Sequence, residues 1–533
     1  MQPLIFQAID WVINDIELND KNSDDELEQL SDGSLENFNK KKTKKYLIKI
    51  FGRTAKGNSI SVNIKDYTPY FYIKVPVTIH KNNHNKLIQQ LRDLIENRLY
   101  SSDDLIRCKI ICKKDIWGFT NNKPFNFVML VFRNHRAMKT AINLFSRPIT
   151  VQGLFVKKKL KLYENNIEPY LRFIHKQNLE TSGWLKIDKY IKSFDYDIKK
   201  GYNYDVNWKD VQPYSSNDIA PFIIASFDIE CDSFDGSFPN AQQSYNKVAY
   251  KVFEYYNSLD KNKETNKLYS SVEKKQLLYK FLINLFENNE LNIKQKYDLQ
   301  KIKDAFEYDH IEDVYSILNG RFQLHDEVVA KNKMNTLMNY FKTDNCEQDE
   351  QYDYKVNVSN NEIIQKLTEK FNCLYYKGLF PKIEGDKIIQ IGITTHSYGN
   401  KDCKQKVILT LGGCSDIDGI KVIRCNNEKE IITNWVKLIN ELDPDIITGY
   451  NIFGFDFDYM YKRAIELNCA NHLCSVGKIK EPIKPCHFED GCCKNHWIKK
   501  SLSSSALGDN FLKYVNMEGR VVIDLMKEIQ KGH

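Results

Sequence analysis

The chain has 533 residues, is 42% hydrophobic and carries a formal net charge of +7, enough material for roughly three or four domains and a charge that admits a polyanionic partner without demanding one. No stretch reaches the roughly 18 apolar residues of a membrane span, and Met1 to Asp10 is too short and mixed for a signal peptide. The 13 scattered cysteines fit a reducing compartment better than a disulfide framework, so an intracellular protein without a membrane partner is expected.

In chain order, residues 4–13 read as a strand. Residues 14–45 are acidic and then basic (Lys40, Lys41, Lys42, Lys44, Lys45) and read as a flexible loop inside a hairpin. Strand character at Tyr46–Ile50, Ser59–Ile64 and Tyr67–Val75, with a turn at Gly57, predicts a small antiparallel sheet. Leu87, Leu91, Leu94 and Ile95 have helical spacing. A strand over 125–133 and a helix over Arg136–Phe145 come next, which makes residues 1–215 an α+β region. A helix after Pro169 then leads to a short strand near Trp184. Its aromatic residues alternate with Arg172, His175 and Lys176, a chemistry that can grip single-stranded nucleic acid. A core helix with an exposed basic edge explains them more simply and is favoured.

Phe222, Ile223, Ile224, Ala225 and Phe227 form an apolar run that predicts a fully buried strand. Asp228 and Glu230 interrupt it, and on a strand residues i and i+2 share a face. Burying two carboxylates side by side is costly. Hard divalent cations relieve that cost, and two of them about 3.5–4 Å apart can drive phosphodiester hydrolysis. A strand end where both acids reach water accounts for the tripeptide without a metal.

Residues 241–380 are rich in Lys, Glu and Asn, with helical segments at Ser271–Glu290 and Asp298–Leu318. They read as an insertion between two adjacent strands, since strand character returns only at 387–394, and such insertions are thermodynamically tolerable. Beyond them lie strands at Lys406–Leu411 and Lys421–Arg424, a helix at Glu428–Leu442 stopped before Pro444, and a strand at Asp445–Asn451. A helix opens at Gly454, and Asp456 stands in its first turn. There it is either a plain helix-start acid or a third carboxylate for the strand pair. Cys486, His487, Cys492, Cys493 and His496 have short spacing suited to zinc. They include no clean Cys-x2-Cys pair, and 477–502 reads as an exposed loop, so zinc is the less favoured reading.

The order of these parts carries a resemblance. Phe227–Cys231 resembles the first exonuclease motif of family B DNA polymerases of the delta type, and Ile447–Asp456, with Tyr459 and Arg463 after it, resembles the second. Ile219–Pro221, Phe51–Asn58, Thr68–Tyr72, Tyr163–Phe173, Gly183–Trp184 and Gly519–Asp524 resemble the flanking segments, in wording nearest to polymerases of large DNA viruses of eukaryotes. The resemblance implies an α/β ribonuclease-H-like exonuclease domain over 216–533, with the insertion 241–380, preceded by an α+β polymerase N-terminal domain over 1–215. It implies an N-terminal fragment of a replicative DNA-directed DNA polymerase, with proofreading 3′–5′ exonuclease activity on a single-stranded 3′ end or primer–template. Asp228, Glu230 and Asp456 would be catalytic and hold two Mg2+ or Mn2+ ions. Asn451 and Phe455 would position the terminal nucleotide. The family's third motif, a Tyr and an Asp one helical turn apart, lies downstream of the strand that here contains Asp524. The chain stops at His533, before that motif and before the polymerase palm, so the resemblance implies a truncation or a remaining polymerase part on a separate chain. A sliding clamp, and a site in the host nucleus or a cytoplasmic viral replication site, are further implications. The alternative is a non-catalytic nucleic-acid-binding or assembly fragment that keeps the exonuclease fold.

Overall fold

Alternating apolar residues make Leu4–Glu17 and Lys44–Arg53 into a long antiparallel pair, registered from Gln7 opposite Arg53 to Glu17 opposite Lys44. A computed structural model describes residues 2–17, 44–233, 238–242, 244–259, 268–288, 297–306, 310–320, 359–481, 488–489, 492–493, 496–504 and 508–532. The hairpin strands take in residues 14–17 and 44–45, which were expected in a loop; residues 18–43 lie outside the described residues. Two compact units divide the chain: one combines 1–230 with 389–533, and the other is Cys231–Ile388.

The first unit contains three sheets that organise it. The long pair belongs to a seven-stranded sheet. In it Tyr202–Asn207 runs parallel to Ser59–Lys65, a departure from the purely antiparallel expectation. The strand Tyr70–Lys74, expected beside them, belongs to a separate four-stranded sheet with Leu105–Lys114, Pro124–Phe132 and Leu162–Tyr163. The helices His84–Glu96 and His135–Phe145 complete a β-α-β-β-α-β module. Leu87, Leu91, Ala141 and Phe145 pack with Phe71, Val128, Leu130 and Phe132 as its core.

The third sheet is six-stranded. Its order across the sheet is Lys421–Cys425, Gln405–Leu411, Lys387–Ser397, Ile223–Asp232, Ile446–Gly449 and Val521–Asp524. The last three include parallel pairs on both sides of Ile446–Gly449, and the chain between Ile446–Gly449 and Val521–Asp524 includes the helix Asp456–Glu466. The helix Glu428–Leu442 ends at Asp443, which adopts a left-handed φ of 48° before Pro444. This mixed α/β sheet is the ribonuclease-H-like architecture expected from the motifs. The exposed loop expected over 477–502 is corrected: Trp497–Ser504 is a strand paired with Gly508–Val515, and Trp497 stacks on Tyr461 at 4.1 Å. Its Lys- and Ser-rich outer residues hide the alternation.

The second unit is helical. Asn246–Ser258, Ser271–Glu287, Leu299–Ala305, Ile311–Leu318 and Asn360–Tyr376 enclose their own core, including Leu282, Phe286, Phe306, Leu367, Phe371 and Phe380. Where one helix was expected over 298–318, two occur. Capping boxes start two of the helices, Ser270 with Glu273 and Ser359 with Glu362. The strands that flank this unit in sequence, Ile223–Asp232 and Lys387–Ser397, lie side by side in the sheet.

Candidate active site

On the strand Ile223–Asp232, Ala225, Phe227 and Ile229 are buried, whereas Asp228 and Glu230 are exposed. The strand is thus closed on one face only, which corrects the fully buried expectation. Ile224 and Ser226 are half-buried, and the face opens progressively toward the acids. Phe227 fixes the strand from behind, its ring centroid 5.3 Å from both Trp435 and Phe457. The neighbouring strand approaches so closely that a Cβ on Gly449 would lie 2.6 Å from the Phe227 carbonyl oxygen.

After Gly449 the chain turns sharply. Asn451 takes a left-handed φ of 61°, a conformation Asn tolerates. Its carbonyl accepts from the amides of Gly454 and Phe455, both at 3.0 Å. The turn delivers Asp456 to the first position of the helix Asp456–Glu466. There its Oδ1 accepts the Ile229 amide at 3.2 Å, between Asp228 and Glu230 along the strand. Asp456 is only 2% exposed. Burial and the adjacent Asp228 carboxylate push its pKa up to about 7. Two carboxylates in mutual repulsion with oxygen-only donors are what a hard divalent cation relieves, so the pair fits such an ion in chemistry. Among the described residues, however, no three Asp, Glu, His or Cys side chains are gathered as a closed ligand set. Asp228 and Asp456 come together, and Glu230 shares their strand face. Asn451 and Phe455 stand in the same turn, the Phe455 ring 5.3 Å from that of Tyr459. Cys486 and His487 lie outside the described residues, as do the side chains of Cys492 and Cys493, so the zinc expectation falls outside the described part of the structure.

Several supports were not foreseen. Asp524, buried at the end of its strand, accepts the amides of Asn451 at 2.8 Å and of Phe453 and Met526 at 3.0 Å. It therefore shapes the turn that delivers Asp456. A buried bidentate pair, Arg463 with Glu428 at 2.8 and 2.7 Å, ties the Asp456 helix to Glu428–Leu442. Asp445 accepts the Ile223 amide at 2.8 Å, Arg53 Nε at 2.5 Å and Lys478 Nζ at 2.6 Å. Burial alone would raise the Asp445 pKa, but Lys478 and Arg53 outweigh it and hold it below the usual range. An Asp at the end of an apolar run was the visible signal for Asp524; the ion cluster has no local signal.

The profile of "DNA polymerase family B, exonuclease domain" matches residues 160–319 and 321–532. The chain belongs to this family. Among curated relatives of this family B exonuclease chain, the DNA polymerase of Pyramimonas orientalis virus is 34% identical over 99% of this chain and 40% of its own length. That of Phaeocystis pouchetii virus is 27% identical over 91% of this chain and 50% of its own length. The DNA polymerase delta catalytic subunit of Dictyostelium discoideum is 36% identical over 31% of this chain and 14% of its own. The chain therefore spans half or less of the length of these relatives. A solved family B DNA polymerase from Pyrobaculum calidifontis aligns with a TM-score of 0.41 and 11% identity, over 99% of this chain and 37% of its own. No helix among the described residues is long and apolar enough to cross a membrane.

Proposed function

We propose that this chain is the proofreading part of a replicative DNA-directed DNA polymerase, removing nucleotides from a DNA 3′ end by metal-dependent hydrolysis. The observation that carries the reading is the seating of Asp456 on the Ile229 amide, between Asp228 and Glu230. Mg2+ or Mn2+ suits this donor chemistry. Asp228 and Asp456 would hold it, with Glu230, exposed on the same strand face, as the further donor. When bound, such ions supply an activated water and neutralise charge on the leaving oxygen. The chain's own residues do the positioning. Asp524 holds the turn, the turn holds Asp456, and Phe227 holds the strand of Asp228. Asn451 and Phe455 are assigned to the 3′-terminal nucleotide, the amide for hydrogen bonding and the ring for stacking. Polymerisation, primer–template binding, a sliding clamp and an intracellular replication site are proposed on the likeness to the viral and delta-type relatives alone.

The test is release of nucleotides from a 3′-labelled single strand with magnesium, comparing the wild type with Asp228→Ala. Near-complete loss in the variant is expected, and equal rates would sink the assignment. The exposure of both Asp228 and Glu230 to solvent favours a second reading, a nucleic-acid-binding fragment without hydrolysis. It is separated by a thermal melt: magnesium should stabilise the wild type more than Asp228→Ala under the first reading, and neither under the second.

A further inference from the structure

The turn after Gly449 is held by Asp524 from within its own sheet. It is also held from outside that sheet, by the hairpin strand Gly508–Val515. Phe453, midway through the turn, is where the two supports meet. Its amide donates to Asp524 Oδ2 at 3.0 Å, and its carbonyl accepts the Lys513 amide at 3.2 Å. Its ring lies 5.1 Å from that of Tyr514. Both backbone groups and the side chain of this one residue are therefore engaged, just before Phe455 and Asp456.

The same strand grips the helix that the turn starts. Lys513 Nζ donates to Asp458 Oδ2 at 2.9 Å, in the first turn of Asp456–Glu466. Trp497, on the other strand of the hairpin, stacks on Tyr461 of that helix. Asn510, on the strand of Lys513, accepts Lys527 Nζ at 2.6 Å from the helix Leu525–Gly532. The first turn of that helix is held in its turn by Asp524, through the Met526 amide. The contacts close a ring: Asp524, the turn, the hairpin strand, the terminal helix, and Asp524 again.

Lys513 is the polar side chain through which the hairpin enters this ring beside the site, and it stands there at a cost. The strand register places it directly opposite Lys499, and like charges opposite one another on antiparallel strands are unfavourable. Lys462 brings a second cation to the same Asp458 oxygen, also at 2.9 Å. The Lys513 side chain is 36% exposed, and a pair that open adds little to global stability. Its value is therefore local. The backbone bond to Phe453 can be made by any residue with an amide, whereas the Asp458 pair needs a long cationic side chain at this position.

We propose that Lys513 is a positioning residue for 3′-end hydrolysis: by joining Asp458 to the hairpin it holds the turn that carries Asn451, Phe455 and Asp456. The effect on hydrolysis rests on the nuclease reading above; the ordering of the turn does not.

The experiment compares the full 533-residue chain with Lys513→Met, Lys513→Arg and Lys500→Met. Methionine keeps the apolar stem and the backbone bond and removes the charge, and arginine keeps the charge. Lys500 lies opposite Leu512, with its side chain on the other face of the hairpin. The first measurement is hydrogen–deuterium exchange without DNA or metal. In Lys513→Met the peptide covering 450–458 is expected to exchange about two- to fivefold faster, while exchange in the seven-stranded sheet stays as in the wild type. The melting temperature is expected to move by no more than about 2 °C. The second measurement is magnesium-dependent release from a 3′-labelled single strand. There kcat is expected to fall about tenfold with KM within about twofold, as misplacement of the site requires. Lys513→Arg should restore both readouts, and Lys500→Met should change neither.

Wild-type exchange over 450–458 in Lys513→Met would overturn the proposal. So would faster exchange throughout the chain with a lowered melting temperature, which would make Lys513 a support of the whole fold. A raised KM with unchanged kcat and unchanged exchange would overturn it too, by making Lys513 a phosphate contact. If the wild type releases no nucleotide, the nuclease reading fails, and the exchange measurement alone decides whether Lys513 orders the turn.

Discussion

The carboxylate of Asp456 accepts the backbone amide of Ile229, the residue that separates Asp228 from Glu230, at 3.2 Å. A bond between a helix-start side chain and a strand amide is geometrically demanding. It requires the turn after Gly449, the left-handed Asn451 and the Asp524 clasp to be in place together. It also drives a nearly buried carboxylate against Asp228, and that conflict has a measurable consequence.

The pKa of Asp456 is raised from 3.8 to about 7 in the folded protein. Between those values the folded state holds a proton that the unfolded chain releases, so this group costs stability progressively as pH rises from about 4 to 7. Asp456→Asn keeps the shape and removes the titration. The variant is expected to match the wild type near pH 4 and to exceed it near pH 8 without metal. The gain is up to a few kcal/mol, since each tenfold difference in proton affinity between the two states is worth about 1.4 kcal/mol. Urea melts at the two pH values measure this, and an equal difference at both would show that Asp456 is not the titrating group. Added magnesium should narrow the gap by stabilising the wild type.

Arg53 joins the N-terminal sheet to Asp445, at the start of the strand next to Asp228's. Its Nε lies 2.5 Å from Asp445, with both side chains 5% exposed or less. Removing one partner of a buried pair typically costs about 3–5 kcal/mol, and Lys478, still 2.6 Å from Asp445, offsets part of that. Arg53→Ala is therefore expected to destabilise the protein by up to that amount in a denaturant melt. Lys480 pairs with Asp197 at 2.6 Å but is 57% exposed, and Lys480→Ala should cost roughly 0–1 kcal/mol. Equal costs for the two would show that burial does not govern these pairs.

The contrast between these pairs also separates what the sequence makes legible from what it does not. Asp228 and Glu230 can be placed on one face because two-residue alternation is a local rule. Asp456 can be placed at a helix start because Gly454 and the apolar spacing after it are local too. Arg53 and Asp445 are separated by 392 positions, and nothing in either segment announces the other. The helices Asn246–Ser258 and Asn360–Tyr376 are hard to read in the sequence because polar Lys- and Asn-rich surroundings dilute their apolar stripes. The strand Leu105–Lys114 is obscured for a similar reason. Most of its residues are exposed along a lysine-bearing face, and its pairing with Pro124–Phe132 is visible only in three dimensions.

Gly449 is a test of how tightly the site is built. A Cβ there would lie 2.5 Å from Ile452 Cγ2 and 2.6 Å from the Phe227 carbonyl oxygen. The side chain can rotate away, but the carbonyl belongs to the strand of Asp228 and cannot. Gly449→Ala is expected to cost about 1–3 kcal/mol as overpacking and to lower nuclease activity by moving Phe227. Gly392→Ala, on the adjacent strand with open space around its Cβ, should change neither. Thermal melts and 3′-end cleavage assays on the two variants check this, and an unperturbed Gly449→Ala would show that the strands are not packed to that limit.

Among the described residues, the helical unit builds its own core from Val248 through Leu282 and Phe286 to Phe371 and Phe380, with Ile383 packed against it. At its neck the Asn240 amide donates to Asp386 Oδ2, and the Asp386 amide donates to the Asn240 carbonyl, both at 2.8 Å. The chain thus leaves and re-enters within hydrogen-bonding distance, and a short linker can span the gap at little entropic cost. Replacing residues 241–385 by a few Gly and Ser residues is expected to leave the remaining sheets folded. Residues 238–386 expressed alone are expected to show a helical circular dichroism spectrum and a cooperative melt, since the unit carries its own capping boxes and its own apolar centre. The two measurements are independent. A deletion variant that aggregates or melts without cooperativity would show that the helical unit helps build the sheet's core. An isolated unit without a cooperative melt would show that its core depends on the rest of the chain.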